Sequence, residues 1–245
     1  MTRWLALAIG IAVIAWYMAS RLAFTPVPWP DGSAFYGFDK LYDARNVGYA
    51  GPEFSYATMP DQYTLSTFQR LELAESDRPP VMAEIDLVSS HHPWTPLPHL
   101  VGWNRVGDGS VFDGMPQEGE SPDEVFRDPD QVKTAYGQSI EYSLRSLISF
   151  VQTYPDPDLV FIVLGDHQPH TYVSGEGASH DVPITVIAHD PAVMDRISGW
   201  GWQAGMRPGP DAPVWPMDAF RDRFLTAYGA PPTPAPSPVA PRAQR

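Results

Sequence analysis

Apolar and polar positions change period several times along this chain, and each change marks an element. From Asp61, which serves as a cap, Leu65, Phe68, Leu71 and Leu73 follow a helical spacing until Pro79 and Pro80 stop it. VMAEIDLV, residues 81–88, then reads as a strand, and a turn-rich stretch runs from Val101 to Arg127. The clearest helix opens at Asp128 or Pro129. It carries Val132, Tyr136, Ile140, Leu144, Leu147, Ile148 and Val151 at three- and four-residue intervals, with Pro155 beyond its end. LVFIVLG (159–165) and VPITVIA (182–188) are unbroken apolar runs, the pattern of strands covered on both faces. A last amphipathic helix is expected from Met217 to Tyr228, with Phe220, Phe224, Leu225 and Tyr228 on one side. Helices interleaved with doubly buried strands predict an α/β sheet layered between helices.

The two ends read differently from this body, which is expected over residues 27–229. Between Arg3 and Arg21, WLALAIGIAVIAWYMAS holds no charged residue, and as a helix it covers about 25 Å, enough to cross a bilayer with snorkelling ends. Trp4, Trp16 and Tyr17 near its ends suit an interfacial anchor, and no clear small-x-small cleavage site precedes Arg21. Residues 1–24 are therefore expected to form a membrane-spanning signal-anchor helix; a cleaved signal peptide and a misassigned start codon are the alternatives. At the other end, APPTPAPSPVAPRAQR (230–245) lacks apolar periodicity and predicts a disordered proline-rich tail.

Composition narrows the chemistry. With 29 acidic against 16 basic residues, the net charge of -13 leaves no basic footprint for a phosphate backbone, so nucleic acid is excluded as a partner. The absence of cysteine excludes disulfides, thiol nucleophiles, Cys-ligated zinc and iron–sulfur clusters. All seven histidines lie between His91 and His189, and each predicted strand is followed by a polar cluster: SSHHPW, DHQPH and HDP. In α/β sheets the carboxyl ends of strands open into ligand crevices.

In GDHQP, Asp166 and His167 leave a strand side by side between Gly165 and Pro169, and a carboxylate beside an imidazole suits a hard or borderline divalent ion. The alternative is an Asp capping the next segment with an exposed His beside it. Of His91 and His92, only one is expected to face the crevice, where an imidazole can hold an anionic oxygen. Asp86 either faces that crevice or pairs with a loop amide. His180 stands at the entrance of the third strand, a ligand only if its loop folds back. His99, His170 and His189 have no supporting context and read as surface residues, and Trp200, Trp202 and Trp215 read as packing anchors. G-x-S-x-G, H-E-x-x-H and a phosphate loop with Lys are all absent.

The strand-GDHQP run, the S-H-x-P cluster before it and the H-x-V-P strand after it together resemble the carboxyl-terminal half of the alkaline phosphatase and sulfatase superfamily, in its bacterial membrane-anchored, lipoteichoic-acid-synthase-like branch. The likeness covers roughly Trp29 to Tyr228, including WPDGSAFYGFDKLYDA and MPDQYTL. It implies a partial alkaline-phosphatase-like three-layer helix-sheet-helix fold and a single-pass protein of the cell membrane with an extracytoplasmic body. It further implies a divalent metal (Mn, Zn, Mg or Ca) on Asp166 and His167, joined by His180 in two-metal members, and contact of His91 with a phosphate- or sulfate-ester substrate. The family's nucleophile belongs to an amino-terminal half that should precede Trp29, where this chain has only the apolar segment. The resemblance thus implies an incomplete hydrolase or transferase, inactive alone, holding its metal weakly, with a separately encoded amino-terminal half as partner. The alternative is a membrane-tethered, non-catalytic anion-binding or regulatory module.

Overall fold

The computed structural model describes residues 20–25 and 36–229. They form a mixed α/β protein with a small parallel sheet, and they divide into two compact units at Asp190–Pro191, where the sequence reads one body over 27–229. The expected tail, 230–245, and residues 1–19 of the expected anchor lie outside the described residues.

In the larger unit, β1 (Ser20–Phe24) is the central strand of a parallel sheet, flanked by β2 (Lys40–Tyr42) and β3 (Val81–Ile85). Phe24 pairs with Tyr42 on one side and with Ile85 on the other. The last five residues assigned to the anchor helix are therefore a strand. Ala23 and Phe24 are fully buried there, and paired strands on both sides satisfy the backbone of this segment, which a lone apolar run does not disclose. Among the described residues no helix is long and apolar enough to cross a membrane.

Two helices cover one face of this sheet. α1 (Asp61–Phe68) runs on through a π-type turn to Leu73, and α2 (Pro122–Val125) precedes the 25-residue α3 (Pro129–Thr153). Leu65 and Phe68 of α1 and Phe150 of α3 close over Phe24, joined by Val81, Ala83, Ile85 and Leu87, whose odd spacing marks the inward face of the β3 segment. A second core lies in the loops, around Val47, Phe54, Met59, Tyr63, Val106 and Phe112. It depends on Gly109, whose φ of +95° and contact with the Tyr49 ring leave no room for a Cβ.

β4 (Val160–Leu164) and β5 (Ile184–Ala188) form a separate two-stranded antiparallel sheet, linked through α4 (Thr171–Ser174), with Leu164 opposite Ile184 and Val160 opposite Ala188. Both were expected to be covered on both faces. Phe161 does turn inward against Phe150, but Val160 and Leu164 are 43% and 49% exposed.

The smaller unit, described over 191–229, contains α5 (Pro191–Asp195) and α6 (Met217–Tyr228). Trp200, Trp202 and Trp215 pack edge-to-face and tilted against one another, and Trp202 stacks on Phe220, with Arg223 4.1 Å above the Trp215 ring. These tryptophans are packing anchors, as their sequence setting predicts.

Candidate functional site

The antiparallel sense of β5 decides which loops can meet. The exit of β4, carrying Asp166 and His167, lies at the entrance of β5, carrying His180. The Gln168 side-chain amide donates to the Asp181 carbonyl, and an added Cβ at Gly165 would lie 3.7 Å from Val182, so the two segments stay close beyond the last ladder pair. The same sense sends His189 and Asp190 to the opposite end of the sheet. The expected convergence of three strand carboxyl ends is therefore not made: a parallel β5 would have placed HDP beside DHQPH, and an antiparallel one substitutes ASHD.

At this end Asp166 and His167 face each other. The His167 backbone N–H donates to Asp166 Oδ1 at 2.9 Å, and His167 Nε2 lies 3.4 Å from Asp166 Oδ2. His167 Nδ1 is 2.8 Å from the Gln168 carbonyl. A carbonyl can only accept, so Nδ1 carries the proton of that bond and, in the neutral ring, Nε2 turns a lone pair toward the carboxylate. Two lone pairs held face to face are the donor pair a metal ion takes. Both side chains are open to water, 89% exposed for Asp166 and 72% for His167. Among the described residues, no group of three or more His, Asp or Glu side chains is gathered closely enough to hold a metal ion.

The SSHHPW loop approaches the DHQPH loop through His92. Its ring stands edge-on to Trp94, Phe126 and Tyr172 at 5.3, 5.1 and 6.5 Å. His170 stacks on Tyr172 at 4.1 Å. Burial first, then the neighbouring His91 and His170, lowers the His92 pKa below its ordinary value. His91, which the resemblance assigns to the substrate, stacks on Tyr56 at 3.7 Å, and its Nδ1 faces the His92 carbonyl at 2.7 Å. Trp94 holds a φ of +66°, a costly conformation for a bulky side chain.

Two carboxyl groups carry more than the sequence reading gave them. Asp61, read as a cap, is fully buried and bonded to Ser89 and to Ser143. Glu84 stands two residues before Asp86 on the same strand face, and partial desolvation, then Asp86, push the Glu84 carboxyl up to about 8. His99 meets Glu118 at 3.0 Å on the surface. The signal for Asp61 was absent from the pattern, because its serine partners lie 28 and 82 residues away. A cavity of about 360 Å³ lined by Gln69, Leu73 and residues 153–157 lies elsewhere and includes none of the candidate residues. No protein-family model matches the chain, and no curated protein or solved structure is significantly similar to it.

Proposed function

We propose that this chain is the metal- and anion-handling part of a phosphate- or sulfate-ester hydrolase or transferase, of the alkaline phosphatase and sulfatase kind, with that family's layered α/β architecture. The observation that carries the reading is the Asp166–His167 pair. Its Oδ2 and Nε2 are 3.4 Å apart, and two donors on a tetrahedral ion at about 2.1 Å stand about 3.4 Å apart as well. Carboxylate and imidazole fit Mn, Zn, Mg or Ca in donor type, and His180, in the loop that adjoins the pair, becomes a third donor only if that loop folds back onto it. A metal held there polarises a phosphoryl or sulfuryl oxygen when bound. The chain's own residues hold it, and His91 is the imidazole assigned to the ester's anionic oxygens. The body sits outside a cell membrane, tethered by the apolar amino-terminal segment.

The exposure of both ligands favours weak binding, because water competes for each donor and no enclosed site strengthens the charge interaction. The same exposure favours the second reading, a tethered anion-binding module without turnover. Calorimetric titration of the full chain with Mn²⁺ and Zn²⁺ tests the metal site: binding is expected to be weak, abolished in Asp166→Ala and reduced in His180→Ala. Equal binding by wild type and Asp166→Ala would sink the proposal. Assays with aryl phosphate, phosphodiester and aryl sulfate separate the two readings. We expect no Asp166-dependent turnover from the chain alone, and turnover lost in Asp166→Ala would instead mean that an activated water or nucleophile is already present.

A further inference from the structure

A carboxylate removed from water is unfavourable unless its oxygens are satisfied. Asp61 is 0% exposed. Its Oδ1 accepts the Ser89 backbone N–H at 2.9 Å, its Oδ2 accepts the Ser143 hydroxyl at 2.5 Å, and its own N–H donates back to Ser89 Oγ at 3.1 Å. One carboxylate thus joins the first turn of α1, the middle of α3 and the loop leaving β3. None of these bonds goes to the free N–H groups of α1, so capping that helix is not what the side chain does.

From Ser89 the geometry passes along the loop through short turns. The His91 N–H donates to the Val88 carbonyl at 3.0 Å, the Trp94 N–H donates to the His91 carbonyl at 3.2 Å, and the His91 ring bonds the His92 carbonyl at 2.7 Å. The position of Ser89 therefore sets where His91 and His92 point, and the positive φ of Trp94 is held in the same run. We propose that Asp61 is the positioning residue of the histidine loop, directing His91 onto Tyr56 and His92 onto Trp94 and Tyr172. The inference extends the reading of that loop as the anion-facing wall of the site.

The test uses the full chain without metal, with aromatic proton contacts by NMR as reporters. Asp61→Ala, which removes both acceptor oxygens, is expected to weaken both the His91–Tyr56 and the His92–Trp94 contacts at least twofold, while the Phe24–Tyr42 stack, 4.5 Å between centroids in the main core, is unchanged. Ser143→Ala, which leaves the Ser89 N–H bond to Asp61 in place, should keep both histidine contacts. Asp61→Ala with both contacts intact would overturn the proposal, as would a loss shared equally by Phe24–Tyr42, which marks general loosening. Should Asp61→Ala fail to fold, Asp61→Val combined with Ser143→Ala, which replaces the buried polar contact by apolar groups, must weaken the same two contacts; no change there overturns the proposal too. Metal binding at Asp166 does not enter these readouts, so the two hypotheses fail separately.

Discussion

Replacing Tyr142 by Phe is expected to stabilise the protein, the reverse of the usual outcome for a buried tyrosine. Tyr142 lies on the inward side of α3, 7% exposed. Its hydroxyl lies near Ser146 Oγ and the Gln62 backbone, yet neither it nor Ser146 Oγ nor Thr67 Oγ1 has a hydrogen-bond partner. Burial, together with the nearby Asp61 charge, raises the phenol pKa far above its ordinary value, so the group is neutral at any working pH. A buried hydroxyl without a partner costs about 1–3 kcal/mol. Deleting the oxygen leaves a void on the order of 10 Å³, worth about 0.2 kcal/mol at the cavity cost of ~24 cal/mol per Å³. At the lower end of that range the balance is a gain of about 1 kcal/mol, or a rise in Tm of about 2–4 °C for a chain of this size. Urea unfolding followed by circular dichroism should show a higher midpoint at unchanged slope. A destabilisation of about 1 kcal/mol would refute the reasoning and mean that the hydroxyl is satisfied, for example by a buried water.

Four further outcomes are expected. Phe150→Ala removes a fully buried ring that touches Trp103, Tyr154 and Phe161, and should cost about 3–5 kcal/mol in urea unfolding. Gly109→Ala should destabilise and loosen the Tyr49 packing, seen as altered near-ultraviolet dichroism, because the new Cβ would meet the ring at 2.3 Å. The folded state holds His92 below its ordinary pKa, so the unfolded chain binds more protons in the window between that lowered value and about 6.5; stability should rise with pH through this window, and His92→Phe should flatten that part of the curve. Glu84 has the opposite sense: its folded pKa of about 8 lies above the usual 4.5, so stability should fall as pH rises from about 4.5 to about 8, and Glu84→Gln should remove that slope, measured as urea midpoints across the range.

What was legible in the sequence is what local periodicity controls. The helix at Met217–Tyr228 has the bounds its apolar spacing predicts, α3 opens at Pro129 behind its Asp128 cap, and β4 and β5 fall within the two apolar runs. Strand direction was not legible, because VPITVIA reads the same whichever way it pairs, and that direction decides whether His180 or His189 adjoins Asp166. The choice between His91 and His92 was equally hidden. It rests on Tyr56, Phe126 and Tyr172, which lie 34 to 80 residues from His92 and acquire meaning only through packing. Ser20–Phe24 was misassigned for a related reason: an apolar segment satisfies a membrane and a central strand alike, and only the partners on either side distinguish them.

The central place of β1 also has a consequence in time. A parallel sheet cannot close as a local hairpin, so Ser20–Phe24 must wait for Val81–Ile85 to complete the order β2-β1-β3, and then for Phe150 to cover it. During synthesis the ribosome adds about 5–20 residues per second, so the 65 residues between Ile85 and Phe150 take about 3–13 s to appear. Throughout that interval Phe24, Ala83 and Ile85 have no α3 to cover them. The nascent chain is then most open to capture by a chaperone or to mispairing with a neighbour, and slowing translation between residues 85 and 150 should lower the yield of folded protein more than slowing it after residue 190.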